Sequence, residues 1–333
     1  MKGKRVLITG GAGFIGSNLV HHLSKENEVI VLDDRSTGKM ENLKGFKGRF
    51  IQQDIRKLEA LPPGIDYLFH FAAYISVPGS VLEPEKNDSI NILGTQTVLA
   101  AAKAAGVKKF LFASSAAVYG DVPETELPVQ EDRDLRPASP YAGSKMTAED
   151  YCLTYNDIFG LPTTVLRMFN VYGPRQDPKS QYAAVIPAFI TRALKGQRPV
   201  IYGDGCQTRD FVFVGDVARA FEIAAENDRS DGQVINIASG KGTTVKELAQ
   251  GVARAAKKKL EPTFKDPRPG DIRHSVASVE KAKKILRWET KVTLSEGLTK
   301  TVQYLASEGI GTNIEPKKSK KAGPRRKSMK ATK

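Results

Sequence analysis

A tyrosine and a lysine four residues apart, in the segment Tyr141-Ala142-Gly143-Ser144-Lys145, are the residues of this chain best suited to acid–base chemistry. On a helix, positions i and i+4 share one face, so the phenol and the ammonium would be neighbours. A nearby cation stabilises a phenolate and would lower the pKa of Tyr141 toward the range of a general base. Many exposed helices carry the same spacing, so the pair needs a partner. Ser114-Ser115, just after a predicted strand, offers a hydroxyl that can orient a substrate.

A glycine-rich segment, Thr9-Gly10-Gly11-Ala12-Gly13-Phe14-Ile15-Gly16, lies between the first predicted strand and the first predicted helix. Glycines at 10, 13 and 16 allow a tight turn and a close approach of the backbone to a pyrophosphate at the helix N-terminus. Asp33 ends the second predicted strand, 17 residues after Gly16. A carboxylate there accepts hydrogen bonds from a ribose 2′-hydroxyl and repels a 2′-phosphate, so we predict NAD rather than NADP. Asp54 and Ile55, after the third strand, would touch the adenine.

The elements that must position these groups alternate between short apolar runs and helical stretches, as in β-α-β units around a parallel sheet. We therefore predict an α/β fold, a doubly wound parallel sheet with a smaller C-terminal substrate-binding lobe. Residues 1–170 would form the nucleotide-binding domain, with returns around 200–240, and 171–311 the interleaved lobe. Predicted strands lie at 4–9, 28–32, 50–53, 67–71, 109–113, 163–169, 211–214 and 233–237, and predicted helices at 14–24, 85–105, 140–159, 185–195, 244–258, 278–287 and 294–307.

The composition is that of an ordinary globular protein: 333 residues, 40% hydrophobic and 26% charged. No apolar run approaches the roughly 18 residues of a membrane span, and the apolar stretch near the N-terminus is too short for a signal peptide. We therefore expect a cytoplasmic protein with no membrane partner. Its two cysteines and four histidines form no pattern typical of disulfide frameworks or metal ligation, so no metal site is predicted.

The basic charge is concentrated at the C-terminal end. Residues 312–333 hold nine Lys or Arg and one acid, and their +8 leaves +6 of the total +14 for the other 311 residues. This tail has almost no large apolar side chains, so we expect it to be disordered. It could bind a nucleic acid or an anionic lipid electrostatically, but a solvated extension is the simpler interpretation, because a charge run alone specifies no partner.

Several segments together resemble the extended short-chain dehydrogenase/reductase family, in its UDP-glucose 4-epimerase branch. The resemblance spans residues 4–307 and implies a Rossmann-type fold, NAD as cofactor and a UDP-sugar substrate. It also implies a homodimer formed through the helices near 85–105 and 140–159. The matching segments are TGGAGFIG (9–16), VLDD (31–34), HFAA (70–73), SSAAVYG (114–120), YAGSK (141–145), RMFNVYGPRQ (167–176), GDGCQTRDFVFVGDVARA (203–220) and RPGD (268–271).

The resemblance also implies roles for individual residues. Ser115, Tyr141 and Lys145 would be the catalytic trio. The nucleotide end of the substrate would be held by Asn170, Arg209, Arg268 and Asp271, and arginine suits this task because its planar fork meets phosphate oxygens in pairs. Besides the glycines and the Tyr141–Lys145 pair, the implied NAD contacts are Phe14, Ile15, Asp33, Asp54, Ile55, Asn91 and Phe169.

The segment after Ser115 distinguishes the reactions of this family. Dehydratases carry an Asp-Glu pair where this chain has Ala116-Ala117, and decarboxylases carry Glu at the second of these positions. Alanine cannot transfer a proton, so oxidation and re-reduction remain. Tyr141 would take the proton of the C4 hydroxyl during transient oxidation to a 4-keto sugar, and UDP-glucose/UDP-galactose interconversion is the first choice.

Two departures leave the substrate open. Many glucose/galactose epimerases of this branch have Lys where Ile75 falls, and some have a bulky Tyr where Ser275 falls. A small residue at 275 resembles relatives that accept UDP-GlcNAc, so UDP-GlcNAc/UDP-GalNAc interconversion is a serious alternative, and a UDP-uronate is a further one. More distant alternatives are a nucleotide-sugar reductase with net redox and a binding protein that uses the basic tail.

Overall fold

The alternating elements fold into an α/β structure built on a seven-stranded sheet in which every pairing is parallel. The computed structural model describes residues 1–178, 184–267 and 272–310. The strands, in chain order, are β1 (Arg5–Thr9), β2 (Glu28–Asp33), β3 (Arg49–Gln52), β4 (Tyr67–His70), β5 (Lys109–Ser115), β6 (Thr163–Met168), β7 (Asn170–Tyr172), β8 (Val200–Tyr202), β9 (Thr208–Phe213), β10 (Gln233–Ile237), β11 (Gly242–Thr244), β12 (Thr263–Lys265) and β13 (His274–Ser275).

The α-helices cover both faces of the sheet and build the smaller lobe. They are α1 (Phe14–Leu23), α2 (Val77–Leu82), α3 (Pro84–Asp88), α4 (Gly94–Ala104), α5 (Pro140–Asp157), α6 (Val185–Leu194), α7 (Val214–Ala225), α8 (Val245–Ala255) and α9 (Leu294–Ser307).

The strand order across the main sheet is β10-β6-β5-β4-β1-β2-β3, which confirms the predicted doubly wound fold. The order reverses between β1 and β4, and ligands of such sheets bind in the crevice beyond the carboxyl ends at that point. The glycine loop follows β1, and Ser115 ends β5. β10 comes from the second half of the chain and pairs with β6, so the C-terminal part completes the sheet.

Alternate residues of the strands point to opposite faces of the sheet, and each face is covered by an apolar layer. Val6 and Ile8 of β1 pack on one face with α1 and α7, while Leu7 packs on the other face with α4 and α5. All three side chains are fully buried. This two-sided burial explains why the strands read as continuous apolar runs rather than as alternating ones.

The smaller lobe is built around β9. This strand pairs with β7, β11 and β13, while β8 and β12 form a separate two-stranded sheet. Helices α6, α8 and α9 bury a common apolar cluster against it. Both α8 and α9 begin with capping boxes, at Thr244 and Thr293.

The helix predicted over 85–105 is interrupted. A π-helical segment, Ser89–Leu93, separates α3 from α4 and carries the buried Asn91. Such wide turns often occur at functional sites, and local propensity does not reveal them. The helix predicted over 278–287 is likewise mostly a π-type turn, Ala282–Leu286, which ends at Arg287 in the left-handed conformation. Within the described residues, no helix is both long and apolar enough to cross a bilayer.

Candidate active site

The glycine loop is held by backbone packing that excludes larger residues. Gly10 has a φ of +68°, and a Cβ there would lie 2.6 Å from the Ala72 nitrogen. A Cβ on Gly16 would lie 2.3 Å from the Gly10 carbonyl oxygen. Gly13, the N-cap residue of α1, brings no side chain to the first turn of the helix. The loop therefore leaves the helix N-terminus open to an anion, which fits the pyrophosphate of a dinucleotide.

The carboxylate of Asp33 is fixed at the end of β2. It accepts hydrogen bonds from the backbone nitrogens of Ala12, at 2.9 Å, and Arg35, at 2.7 Å. Burial raises the pKa of Asp33, while these two hydrogen bonds oppose the shift. The residue joins the glycine loop to the loop after β2, and each oxygen keeps a lone pair for a ribose hydroxyl.

Asp54 and Ile55 follow β3 at the same edge of the sheet. The Asp54 side chain accepts from the Arg56 nitrogen and pairs with its guanidinium at 2.5 Å. Ile55 is buried beneath α4, where a Cβ on Gly94 would lie 2.6 Å from its Cδ1. Ile55 thus shapes the floor of this part of the crevice, and Asp54 shapes a turn.

Asn91 is buried, and its side-chain amide is hydrogen-bonded to three neighbouring residues. It accepts from the Tyr74 nitrogen at 2.7 Å and donates to the oxygens of Tyr74, Asn87 and Ser144, each at 3.0 Å. Ser144 lies on α5 between Tyr141 and Lys145. Asn91 therefore connects the loop after β4 to the helix that carries the tyrosine–lysine pair.

The predicted trio meets at the carboxyl end of β5. Tyr141, in the first turn of α5, presents its phenol to the Ser115 side chain. Ser115 also caps the following 3-10 turn by accepting from the Ala117 nitrogen at 3.2 Å. Lys145 is buried, and its Nζ donates to the Ala113 carbonyl oxygen at 2.9 Å. A phenol, a hydroxyl and an ammonium therefore lie together beside the crevice.

The pKa values of the pair differ from the sequence prediction. Burial raises the pKa of Tyr141, and the Ser115 hydrogen bond only partly opposes the shift. Burial also lowers the pKa of Lys145 to about 8. The predicted lowering of the tyrosine pKa by the lysine is wrong for this structure, because the ammonium donates to the Ala113 carbonyl oxygen and burial raises the pKa of the phenol.

A cavity of about 210 Å³ lies beyond Ser115 and extends between the sheet and the smaller lobe. Ala116 and Ala117 line it on the β5 side, and Arg209 and Ser275 line it on the lobe side. Much of the remaining surface is apolar. The other lining residues are Tyr119, Gly120, Val122, Leu127, Val129, Met168, Phe169, Asn170, Ile272 and His274.

The predicted substrate residues are divided between the cavity and the undescribed segments. Asn170 begins β7 and Arg209 lies on β9, where Arg209 donates to the Thr208 carbonyl oxygen at 2.8 Å. Ser275 pairs directly with Arg209 across β13 and β9. Arg268 and Asp271 lie outside the described residues, as does the basic tail at 312–333.

Of the predicted cofactor contacts, Phe14 and Ile15 begin α1 and are half-buried against the apolar cluster of the smaller lobe. Phe169 is buried in the wall of the cavity, and its backbone nitrogen donates to the Ile237 oxygen at 3.1 Å. Ile75, where the sequence departs from many relatives, is 64% exposed on the loop after β4.

Two histidines that appeared isolated in the sequence belong to the site region. His70, at the end of β4, bonds Thr9 at 2.6 Å and Thr95 at 3.0 Å, and burial lowers its pKa to about 3. It links the glycine loop to α4 as a neutral side chain. His274 lines the cavity and bonds the Thr208 hydroxyl at 2.9 Å. Only the position of His274 next to Ser275 could have indicated this from the sequence.

Comparison with known proteins gives relatives over almost the whole chain. A UDP-glucose 4-epimerase from Mycolicibacterium smegmatis is 39% identical over 316 residues, which cover 91% of this chain and 99% of that protein. A solved UDP-N-acetylglucosamine 4-epimerase from Methanobrevibacter ruminantium, in complex with UDP-N-acetylmuramic acid, is 40% identical with a TM-score of 0.88, covering 92% of this chain and 100% of that chain. A UDP-glucose 4-epimerase from Thermotoga maritima, solved with UDP-glucose, is 40% identical with a TM-score of 0.85, covering 91% and 99%.

The family model described as the NAD dependent epimerase/dehydratase family matches residues 6–238. This range contains the glycine loop, Asp33, the Ser115–Tyr141–Lys145 trio and Arg209. The match and the relatives confirm the resemblance read from the sequence. This chain belongs to the NAD dependent epimerase/dehydratase family.

Proposed function

We propose that this protein is a UDP-hexose 4-epimerase, with UDP-glucose and UDP-galactose as its first substrate pair. The observation that carries the proposal is the Tyr141 phenol facing Ser115, beside a cavity whose neighbouring wall is Ala116 and Ala117. One phenol can remove and return a single hydroxyl proton. Elimination of water or loss of a carboxylate needs further acid–base groups, which two alanines cannot supply.

The chain's own groups have separable tasks in this reaction. Tyr141 takes the proton of the sugar C4 hydroxyl, and Ser115 orients that hydroxyl by hydrogen bonding. Lys145 has one N–H donor on Ala113 and further donors to offer a cofactor ribose and the phenolate oxygen. Gly10, Gly13, Gly16 and Asp33 would hold NAD. Bound NAD supplies reversible oxidation of the carbon that carries the hydroxyl.

The two ends of the substrate would be held differently. Arg209 suits the diphosphate, with Asn170 nearby in the same cavity, and Arg268 and Asp271 are proposed as further contacts. The hexose would meet mainly apolar and small side chains. Inversion at C4 requires the sugar to present both faces to the same catalytic groups, so weak contacts to the hexose favour the reaction.

UDP-GlcNAc is the alternative that a specific observation favours. Ser275 lines the cavity, and its small side chain leaves volume that a tyrosine ring would fill. One of the relatives of similar structure is a UDP-N-acetylglucosamine 4-epimerase. A UDP-uronate is less favoured, because its carboxylate would need a cation of its own. Arg209 is the Lys or Arg side chain among the described lining residues, and it suits the diphosphate end.

The test is product analysis with purified protein. UDP-glucose, UDP-GlcNAc and UDP-glucuronate are each incubated with the enzyme, and the nucleotide sugars are separated and identified. We expect UDP-galactose from UDP-glucose, without net formation of reduced nicotinamide. A steady rise in reduced nicotinamide absorbance would instead identify a dehydrogenase, and unchanged sugars in all three reactions would contradict the proposal.

A variant that ends at residue 311 tests the basic tail. Comparison of this variant with the full chain shows whether any salt-dependent binding of nucleic acid depends on residues 312–333.

We also propose that the protein is a cytosolic homodimer. Leu93, the residue before α4, is 57% exposed, and Ile158, just after α5, is 72% exposed. Such apolar side chains on the two predicted interface helices favour a second copy as their partner. Sedimentation of Leu93→Asp should give a monomer, whereas Phe264→Asp, at an exposed apolar position on β12, should leave a dimer.

The two cysteines support the cytosolic location. Both are free, Cys152 buried and Cys206 exposed, which fits a reducing compartment.

A further inference from the structure

One stripe of α5 faces β5 with three functional side chains. Tyr141, Lys145 and Glu149 follow each other at intervals of four residues, so they share a helix face. Each of them engages a different member of three consecutive β5 residues. Tyr141 faces Ser115, Lys145 donates to the Ala113 carbonyl oxygen, and Glu149 accepts from the Ser114 hydroxyl. Glu149 therefore helps to fix where Tyr141 and Lys145 lie along β5.

Glu149 is itself held by an arginine on the next strand. Arg167 of β6 donates to both carboxylate oxygens, with contacts of 2.7, 3.0 and 3.1 Å. The side chains of Glu149 and Arg167 are 2% and 5% exposed, so the pair is buried. Arg167 also donates to the Tyr119 phenol at 3.0 Å, and Tyr119 lines the cavity. The ion pair thus touches both the catalytic helix and the cavity wall.

Neither Glu149 nor Arg167 lines the cavity, and the proposed proton transfer does not involve them. We propose that the buried Glu149–Arg167 ion pair is a positioning element of the active site, which sets the register of α5 on β5 and supplies the negative charge that faces Lys145. The proposal deepens the proposed function, because it assigns a source for the charge state of the lysine that supports Tyr141.

The surroundings of Lys145 make Glu149 the charge that matters. Burial lowers the pKa of Lys145 to about 8, and Cys152 and Glu149 oppose that shift. Burial raises the pKa of the Cys152 thiol well above its usual value, and the Glu149 carboxylate is ion-paired with Arg167. The other groups that face Lys145 are the neutral His70 of β4, the Phe112 ring, whose centroid lies 4.8 Å from Nζ, and the Ala113 carbonyl of β5. Tyr141 lies one turn earlier on the same helix, and Arg167 of β6 is bound to Glu149.

The experiment compares two substitutions with opposite charge effects. Glu149→Gln removes the negative charge, so Lys145 should lose its proton at lower pH, and the alkaline fall of kcat should move down by about one pH unit. Arg167→Gln leaves Glu149 uncompensated, so the alkaline fall should move up. The Lys145 side chain is titrated in the same proteins by ¹³C NMR of labelled lysine, with its resonance assigned by its loss in Lys145→Arg. Its midpoints should move in the same two directions.

Two further variants distinguish an effect on the position of Lys145 from damage to the fold. Asp231→Asn breaks the ion pair with Lys109 at the other end of β5, whose N···O distance is 2.5 Å, and should leave both pH midpoints unchanged. The double variant Glu149→Gln/Arg167→Gln removes both buried charges and should place the midpoints between those of the single variants, even if either single variant folds poorly.

Shifts in the same direction for both single variants, or wild-type midpoints in both, would overturn the proposal and leave the pair a purely structural contact. If the wild-type protein interconverts no UDP-hexose, the proposed function fails. The NMR midpoints still decide this inference in that case.

Discussion

The two ends of the crevice are built in opposite ways. At the glycine loop, the backbone itself fixes the geometry: Gly10 and Gly16 have no space for a Cβ, and Asp33 is held by two backbone N–H groups. In the cavity beyond Ser115, the walls are small or apolar side chains such as Ala116, Ala117 and Val122. A rigid cofactor end and a permissive hexose end are what an enzyme needs when it must hold one ligand still and let the other turn.

The strongest way to break the rigid end is Gly16→Ala. The added methyl would lie 2.3 Å from the Gly10 carbonyl oxygen, which belongs to the backbone and cannot move aside. Overpacking of this kind costs about 1–3 kcal/mol, so the free energy of unfolding in urea should fall by that amount and NAD binding should be lost. Gly143→Ala, on α5 with no atom within 4 Å of the new methyl, should instead raise the free energy of unfolding by about 0.5–1 kcal/mol. Equal effects of the two substitutions would contradict the packing argument.

A smaller effect at the same end is expected from Asp33→Asn. Charge-assisted hydrogen bonds contribute about 1.5–3 kcal/mol, so the Kd for NAD, measured by calorimetry, should rise roughly 10- to 100-fold. The adjacent Asp34→Asn is the matched control, because Asp34 is exposed and its side chain accepts from the Ser36 nitrogen at 2.8 Å. An unchanged Kd in Asp33→Asn would remove this carboxylate from the cofactor site.

The permissive end is tested by Ser275→Tyr. A ring at this position would fill the volume proposed for an N-acetyl group, so the ratio of kcat/KM for UDP-glucose to that for UDP-GlcNAc should rise about tenfold or more. Ser275→Ala keeps the volume and should leave the ratio near the wild-type value. If the two variants behave alike, the cavity wall at β13 does not select the substrate.

The difference between the two ends of the crevice also explains which features the sequence could predict. The sheet, the glycine loop and the position of Asp33 follow from local patterns, since each depends on residues close in the chain. The Tyr141–Ser115 contact could be predicted too, because a strand end and a helix start meet at the carboxyl edge of a parallel sheet.

What local patterns could not reveal depends on partners far along the chain. Asn91 bonds Tyr74 and Ser144 from a π-helical turn, and its sequence neighbours give no sign of either contact. Glu149 reads as an ordinary helix-surface acid until Arg167 is placed on the adjacent strand. The direction of the tyrosine pKa shift depends on burial, which the i, i+4 spacing does not contain.

We propose that the Tyr141 phenol is the base of the reaction and is not needed to hold NAD. The most direct measurement is epimerase turnover and NAD affinity in Tyr141→Phe, which removes one oxygen and keeps the ring. We predict that kcat falls by a factor of about 100–10,000 while the Kd for NAD stays within a few-fold of the wild-type value. Turnover at the wild-type rate in this variant would contradict the account.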